Sequence, residues 1–169
     1  YISSFDIFMN EYVPMQESLR YYFSGFSGSV AEVLLLSNGN CHLFVDGRYH
    51  EQADIEVKAD GVIVEKCPFG KSLIEATIEK VSGLGIKKLW VDGDRTPLGH
   101  LDSFKKVVDS VEVGNTKVVQ NFISFQAFTK EATLEKIKKL RPSKDKVKSL
   151  LKDGEAIWLN SLDSISWIT

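Results

Sequence analysis

The sequence predicts an α/β fold, a mixed β-sheet with flanking helices, followed by the start of a second, similar α/β unit. Three observations carry this. Short apolar segments of strand length alternate with helical segments between residues 30 and 119. Asn38-Gly39 separates two strongly apolar runs, the mark of a β-hairpin. A strand-then-helix pattern begins again after Gly154.

In chain order, residues 2–9 (ISSFDIFM) have enough β-branched and aromatic side chains for a strand. Residues 17–23 suit a short helix or turn, closed by the glycine-bearing stretch 25–28. Residues 30–37 (VAEVLLLS) form an apolar strand, Asn38-Gly39 a type I′ turn, and residues 41–46 (CHLFVD) the returning strand. Residues 49–57 can then form a helix. A short strand at 62–65 precedes a helix at 71–81, where Leu73, Ile74, Ile78 and Val81 fall at helical spacing. Gly83 and Gly85 end that helix, and residues 86–92 (IKKLWVD) read as a strand. An amphipathic helix at 98–108, entered through Thr96-Pro97, leads to a last strand near 111–119. This order calls for parallel strand pairs covered by helices and opened by an antiparallel hairpin.

Past Gln120 the character changes. Residues 122–128 are aromatic-rich, and 134–140 and 144–151 are lysine-rich amphipathic helices broken at Arg141-Pro142. Residues 155–160 (EAIWLN) read as a strand, and 161–169 open a helix with Ser161 as its N-cap. The expected division is a first domain at 1–120, a connecting segment at 121–143, and the truncated start of a second α/β domain at 144–169.

Bulk properties bound the function. With 169 residues, 43% hydrophobic and 26% charged, the chain is an ordinary globular one. A net charge of −2 argues against a nucleic-acid partner, and acidic residues interleave with the lysines of 130–152 to make a solvated helical face. No apolar run approaches the roughly 18–20 residues that cross a bilayer. The opening Tyr1-Ile2-Ser3 is unlike a signal peptide, and the numbering is expected to begin inside a larger product. Cys41 and Cys67 stand alone in apolar contexts, as reduced buried thiols of a cytosolic protein would.

No complete active site can be assembled from these residues. His42, His50 and His100 form no ligand-spaced pair with one another, and no Cys-x-x-Cys occurs. His42 alternates with Leu43 in a strand, which favours a structural role. Gly25-Phe26-Ser27-Gly28 has the wrong spacing for a nucleophile elbow. Extended to Ser29, it lacks the Lys-Ser/Thr ending of a phosphate loop and precedes a strand. The hairpin nevertheless puts this stretch and Asp46-Gly47-Arg48-Tyr49 at one end of two paired strands. Two glycines, Gly25 and Gly28, let the backbone approach a neighbouring surface, with Ser29 beside them. Arg48 lies just past a strand end, where its guanidinium either forks onto a carboxylate or carbonyl of a ligand or pairs internally with Asp46, Asp54 or Glu51.

Several elements in order resemble one family. Asn10-Glu11-Tyr12-Val13-Pro14, Arg20, Phe23-Ser24-Gly25-Phe26-Ser27-Gly28-Ser29 and Val45-Asp46-Gly47-Arg48-Tyr49 with Gln52-Ala53 resemble the amino-terminal, creatinase/prolidase-type domain of Xaa-Pro aminopeptidases. Residues 160–167 (NSLDSISW) are similar to the Leu-Asp-x-Ile-Ala-Trp motif of the next domain in three-domain members. The resemblance implies a parent enzyme, cytoplasmic, that removes a peptide's first residue when the second is proline. It implies two divalent metal ions, manganese or zinc, held by a separate pita-bread catalytic domain, so that this region contains neither metal ligands nor catalytic residues. Arg48 is then the substrate-binding residue, with Gly25, Gly28, Ser29, Asp46 and Tyr49 shaping the loops beside it. The implied partners are a peptide with proline at its second position, the parent's own catalytic domain and a second copy in a homodimer, with no nucleic acid and no membrane. Prolidases, creatinases and non-catalytic binding modules share the same amino-terminal fold and remain alternatives.

Overall fold

The apolar runs on either side of Asn38-Gly39 build the centre of the sheet. In the computed structural model, which describes residues 1–115, 143–152 and 156, they form β1 (Glu32–Leu35) and β2 (Cys41–Val45). The two pair antiparallel, from Glu32 opposite Phe44 to Leu35 opposite Cys41. β3 (Val62–Lys66) adds to β2 in parallel, and β4 (Lys88–Asp92) and β5 (Ser110–Gly114) form a second parallel pair. Tyr1 and Ile2 lie between these groups. Ile2 and Val33 exchange backbone hydrogen bonds at 2.9 Å, while the Tyr1 nitrogen donates to the Trp90 carbonyl at 2.7 Å.

Every residue of β2 is buried, because its alternating side chains enter two different cores. Cys41, Leu43 and Val45 join Ile2, Phe26 and Val33 on one face, under α1 (Leu19–Ser24) and α2 (His50–Glu56). Phe44 joins Leu34, Val81, Val91 and Phe104 on the other, under α3 (Leu73–Gly83) and α4 (Leu98–Phe104). The mixed sheet with flanking helices is therefore observed, parallel pairs and opening hairpin included. Both cysteines are buried and free, as expected.

Local details differ from the expectation. Residues 2–9 do not form a strand beyond Ile2. The Asp6 carboxylate accepts the Phe8 and Asn10 amides at 2.8 and 2.9 Å and curls the chain into a turn, with Met9 at φ 60°. The hairpin is not type I′, since Asn38 has no positive φ. It closes instead over three residues between Leu36 and Asn40, with Gly39 at φ 91°. The helix expected at 98–108 stops at Phe104, and the strand expected at 30–37 spans only Glu32–Leu35.

The chain divides into two compact units, Tyr1–Gln126 and Ala127–Thr169. In the second, α5 (Ser143–Leu150) matches the helix expected at 144–151. The expectations for 116–119, 122–128, 134–140 and everything from 157 onward, the second α/β unit and its Trp167 motif included, lie outside the described residues.

Candidate functional site

The two loops singled out in the sequence meet at one end of the hairpin. The first begins where α1 ends, with Gly25 in the left-handed region at φ 72°. Phe26 then plunges into the core, fully buried, and its ring meets Tyr49 edge-on with centroids 5.7 Å apart. Gly28 sits against this pair, and a Cβ there would lie 2.3 Å from the Phe26 ring and 2.9 Å from that of Tyr49. Ser27 turns outward, where its amide and hydroxyl both donate to Glu56 of α2 at 2.8 Å. Gln52 donates to Ser27 and to the same carboxylate. Burial works to raise the Glu56 carboxyl, but these hydrogen bonds hold it below its ordinary value.

Ser29 links the loops. Its hydroxyl donates to Glu11 at 3.0 Å and lies 2.8 Å from the Tyr49 hydroxyl. Its carbonyl accepts from Arg20 at 2.8 Å. Arg20 is buried, and that burial lowers its guanidinium to about 10, against the opposing pull of Tyr49. In the second loop Asp46 organises the turn. Its carboxylate accepts the Arg48 amide at 2.9 Å, Nε at 3.1 and 3.2 Å, and Nη2 at 2.7 Å. The hydrogen bond to Arg48 holds the Asp46 carboxyl below its usual range, and the same bond raises the guanidinium. The Arg48 carbon Cζ lies 5.3 Å from the Tyr49 ring centroid.

Of the internal partners open to Arg48, it engages Asp46, whereas Asp54 pairs with Lys66. The Arg48 side chain stays 65% exposed. A guanidinium clamped along its Nε–Nη2 edge and otherwise solvated can still receive a carbonyl or carboxylate. The structure thus gathers Gly25, Gly28, Ser29, Asp46, Arg48 and Tyr49 into one rim. Sequence reasoning gave no role to Glu11, Arg20, Gln52 and Glu56, which brace it. Their partners lie 4 to 29 residues away, and only Gln52–Glu56, at helical spacing, carries a local signal.

Among the described residues no three His, Cys, Asp or Glu side chains are placed to hold a metal ion. His42 is instead bonded to Glu65 at 2.7 Å, and His50 to the Cys67 carbonyl at 3.1 Å. These residues do not fit a metal pair. Nor is any helix among them long and apolar enough to cross a membrane.

The family model described as Creatinase/Prolidase N-terminal domain matches residues 12–121, and the chain belongs to that family. It is 26% identical to Xaa-Pro aminopeptidase 1 of Dictyostelium discoideum, across 99% of this chain and 30% of that protein. It is 33% identical to the uncharacterized peptidase YqhT of Bacillus subtilis strain 168, across 54% of this chain and 25% of that protein. The chain thus spans less than a third of either relative. The fold also resembles the crystal structure of a cytosolic X-prolyl aminopeptidase with a di-nuclear active site from Caenorhabditis elegans. That match has a TM-score of 0.62 at 19% identity, over 88% of this chain and 25% of that one. The X-Pro aminopeptidase of Thermotoga maritima MSB8 matches with a TM-score of 0.50 at 26% identity, over 60% of this chain and 28% of that one.

Proposed function

We propose that this chain is the amino-terminal, non-catalytic region of an Xaa-Pro aminopeptidase, and that its rim lends Arg48 to the substrate cleft of the parent enzyme. The observation that carries the reading is the posture of Arg48. It is exposed yet held by Asp46 and lies beside Tyr49, so it is pre-organised without being used up internally. Family membership and the Dictyostelium relative supply the activity class. The reading includes a cytoplasmic parent, two manganese or zinc ions in its own catalytic domain, peptides with proline second as substrates, and a homodimeric assembly. Domain limits of 1–120, 121–143 and 144–169 belong to the same proposal.

The test is Arg48→Ala in the full-length parent. The kcat/KM for Xaa-Pro peptides is expected to fall about 10- to 100-fold, the loss of a charged hydrogen bond of about 1.5–3 kcal/mol. Bound metal and melting temperature should be unchanged. Unaltered kinetics would remove Arg48 from the cleft, and a full-length protein that hydrolyses no Xaa-Pro peptide would make this fold a binding module.

A further inference from the structure

Arg20 of α1 is only 4% exposed, yet no carboxylate pairs with it among the described residues. Its Nη1 donates to the Ser29 carbonyl at 2.8 Å and lies 3.4 Å from the Ser4 hydroxyl, and its Nε has no hydrogen-bond partner. A guanidinium stripped of water and met by neutral oxygens is an unfavourable way to fill a core. A methionine fills similar space without that penalty. Arg20 is therefore explained by what it holds, not by how it packs.

What it holds is a hydrogen-bond chain with a fixed direction. The Ser29 hydroxyl carries one proton and donates it to Glu11 at 3.0 Å. The 2.8 Å contact with Tyr49 therefore runs the other way, the phenol donating to Ser29. Tyr49 is thus held at two places. Its hydroxyl is tied to Ser29, and its ring meets Phe26 at an interplanar angle of 86°, with Gly28 packed against both. The Arg48 Cζ sits over that ring. Asp46 clamps Arg48 within their own loop. Tyr49 connects it, through Ser29 and Arg20, to α1 and so to β1 and β2. We propose that Arg20 is a positioning residue for substrate binding: by holding Ser29 it fixes the Tyr49 ring, and the ring sets where Arg48 presents its free edge. This role rests on Arg48 reaching the substrate.

Two double-mutant cycles in the full-length parent test this, pairing Arg20→Met and Tyr49→Phe in turn with Arg48→Ala. Arg20→Met alone is expected to raise KM for an Xaa-Pro tripeptide about 5- to 20-fold with kcat held within about twofold, since it displaces a binding group and not the reacting atoms. Arg20→Lys, which keeps a donor for the Ser29 carbonyl, should return KM to within about threefold of wild type. Tyr49→Phe, which removes only the hydroxyl, should raise KM about 2- to 5-fold. In the Arg48→Ala background neither change should move KM by more than about 1.5-fold. Effects of the same size with and without Arg48, in either cycle, overturn the proposal. So does an unaltered KM in both single variants while Arg48→Ala is impaired. An unaltered KM in Arg48→Ala itself removes Arg48 from the cleft, and this role with it. Should Arg20→Met fail to fold, the Tyr49→Phe cycle decides by the same criterion.

Discussion

At the scale of single residues, Gly28 shows how a recognisable motif conceals its reason. The glycines of the first loop stand out in the sequence, yet they act differently. Gly25 supplies a left-handed turn, with open space where a side chain would be, whereas Gly28 yields room to Phe26 and Tyr49. Gly28→Ala should therefore destabilise the amino-terminal unit by about 1–3 kcal/mol in urea titration, an overpacking effect. Gly47→Ala, where an added Cβ would meet nothing within 4 Å, should change stability by less than about 0.5 kcal/mol. Tyr49 is remote from Gly28 in the chain, so no local pattern announces the clash. Sequence distance likewise hid Glu11 and Glu56, whose carboxylates tether Ser29 and Ser27.

At the scale of elements, α3 follows its expected apolar spacing but runs from Leu73 to Gly83 rather than 71–81, because a local cap at Ser72 sets its start. Ser72 accepts the Glu75 amide and Glu75 reaches back to the Ser72 amide, a capping box written as Ser-x-x-Glu. Ser72→Ala should cost about 1 kcal/mol and Ser72→Asp far less, both measured as shifts in the urea midpoint. Residues 2–9 show the opposite case. Their composition suits a strand, but one side chain, Asp6, captures two backbone amides and its Oδ2 also accepts from the Asn10 side-chain amide. Such a local competitor outweighs propensity, since a strand forms only where a partner edge is available. Ile2 has that edge in Val33, and residues 7–9 do not.

At the scale of the whole molecule, Glu32 ties the hairpin to the helices beneath it. This β1 carboxylate is buried, accepts from Thr77 of α3 at 3.2 Å, and lies 3.6 Å from His100 of α4. Burial pushes it from 4.5 up to about 7, against the pull of the Tyr1 and Thr77 hydroxyls. The folded chain thus holds this proton where the unfolded chain has released it. Its contribution to stability is fullest below about 4.5 and is lost as pH rises through 7. The loss is on the order of 3 kcal/mol. Burial lowers the pKa of His100, which adds the opposite slope below its ordinary value of 6.5. Burial also lowers the Tyr1 amino group from 8.0 to about 5, which opposes the Glu32 slope as well. Urea titrations of the wild type and of Glu32→Gln should therefore diverge between about pH 4.5 and 7, where the wild type loses stability relative to the variant. An unchanged profile in the variant would assign the slope to other groups.

The α/β alternation, the hairpin, the parallel pairing that follows it and the residues of the rim were all specified by the order of amino acids alone. Each of these rests on short-range patterns: hydrophobic period, turn chemistry, and loops that flank one hairpin and so share its open end. Packing in three dimensions was needed to fix how Arg48 is held, why Gly28 is glycine, and that Glu32 is buried among titratable neighbours. The clamp on Arg48 is short in sequence, but several carboxylates lay within its reach and the folded loop selected Asp46. The others depend on groups far apart in the chain, such as Glu32 with Thr77. Contacts of that kind leave no periodicity in the chain, because close packing creates them only once the elements have come together.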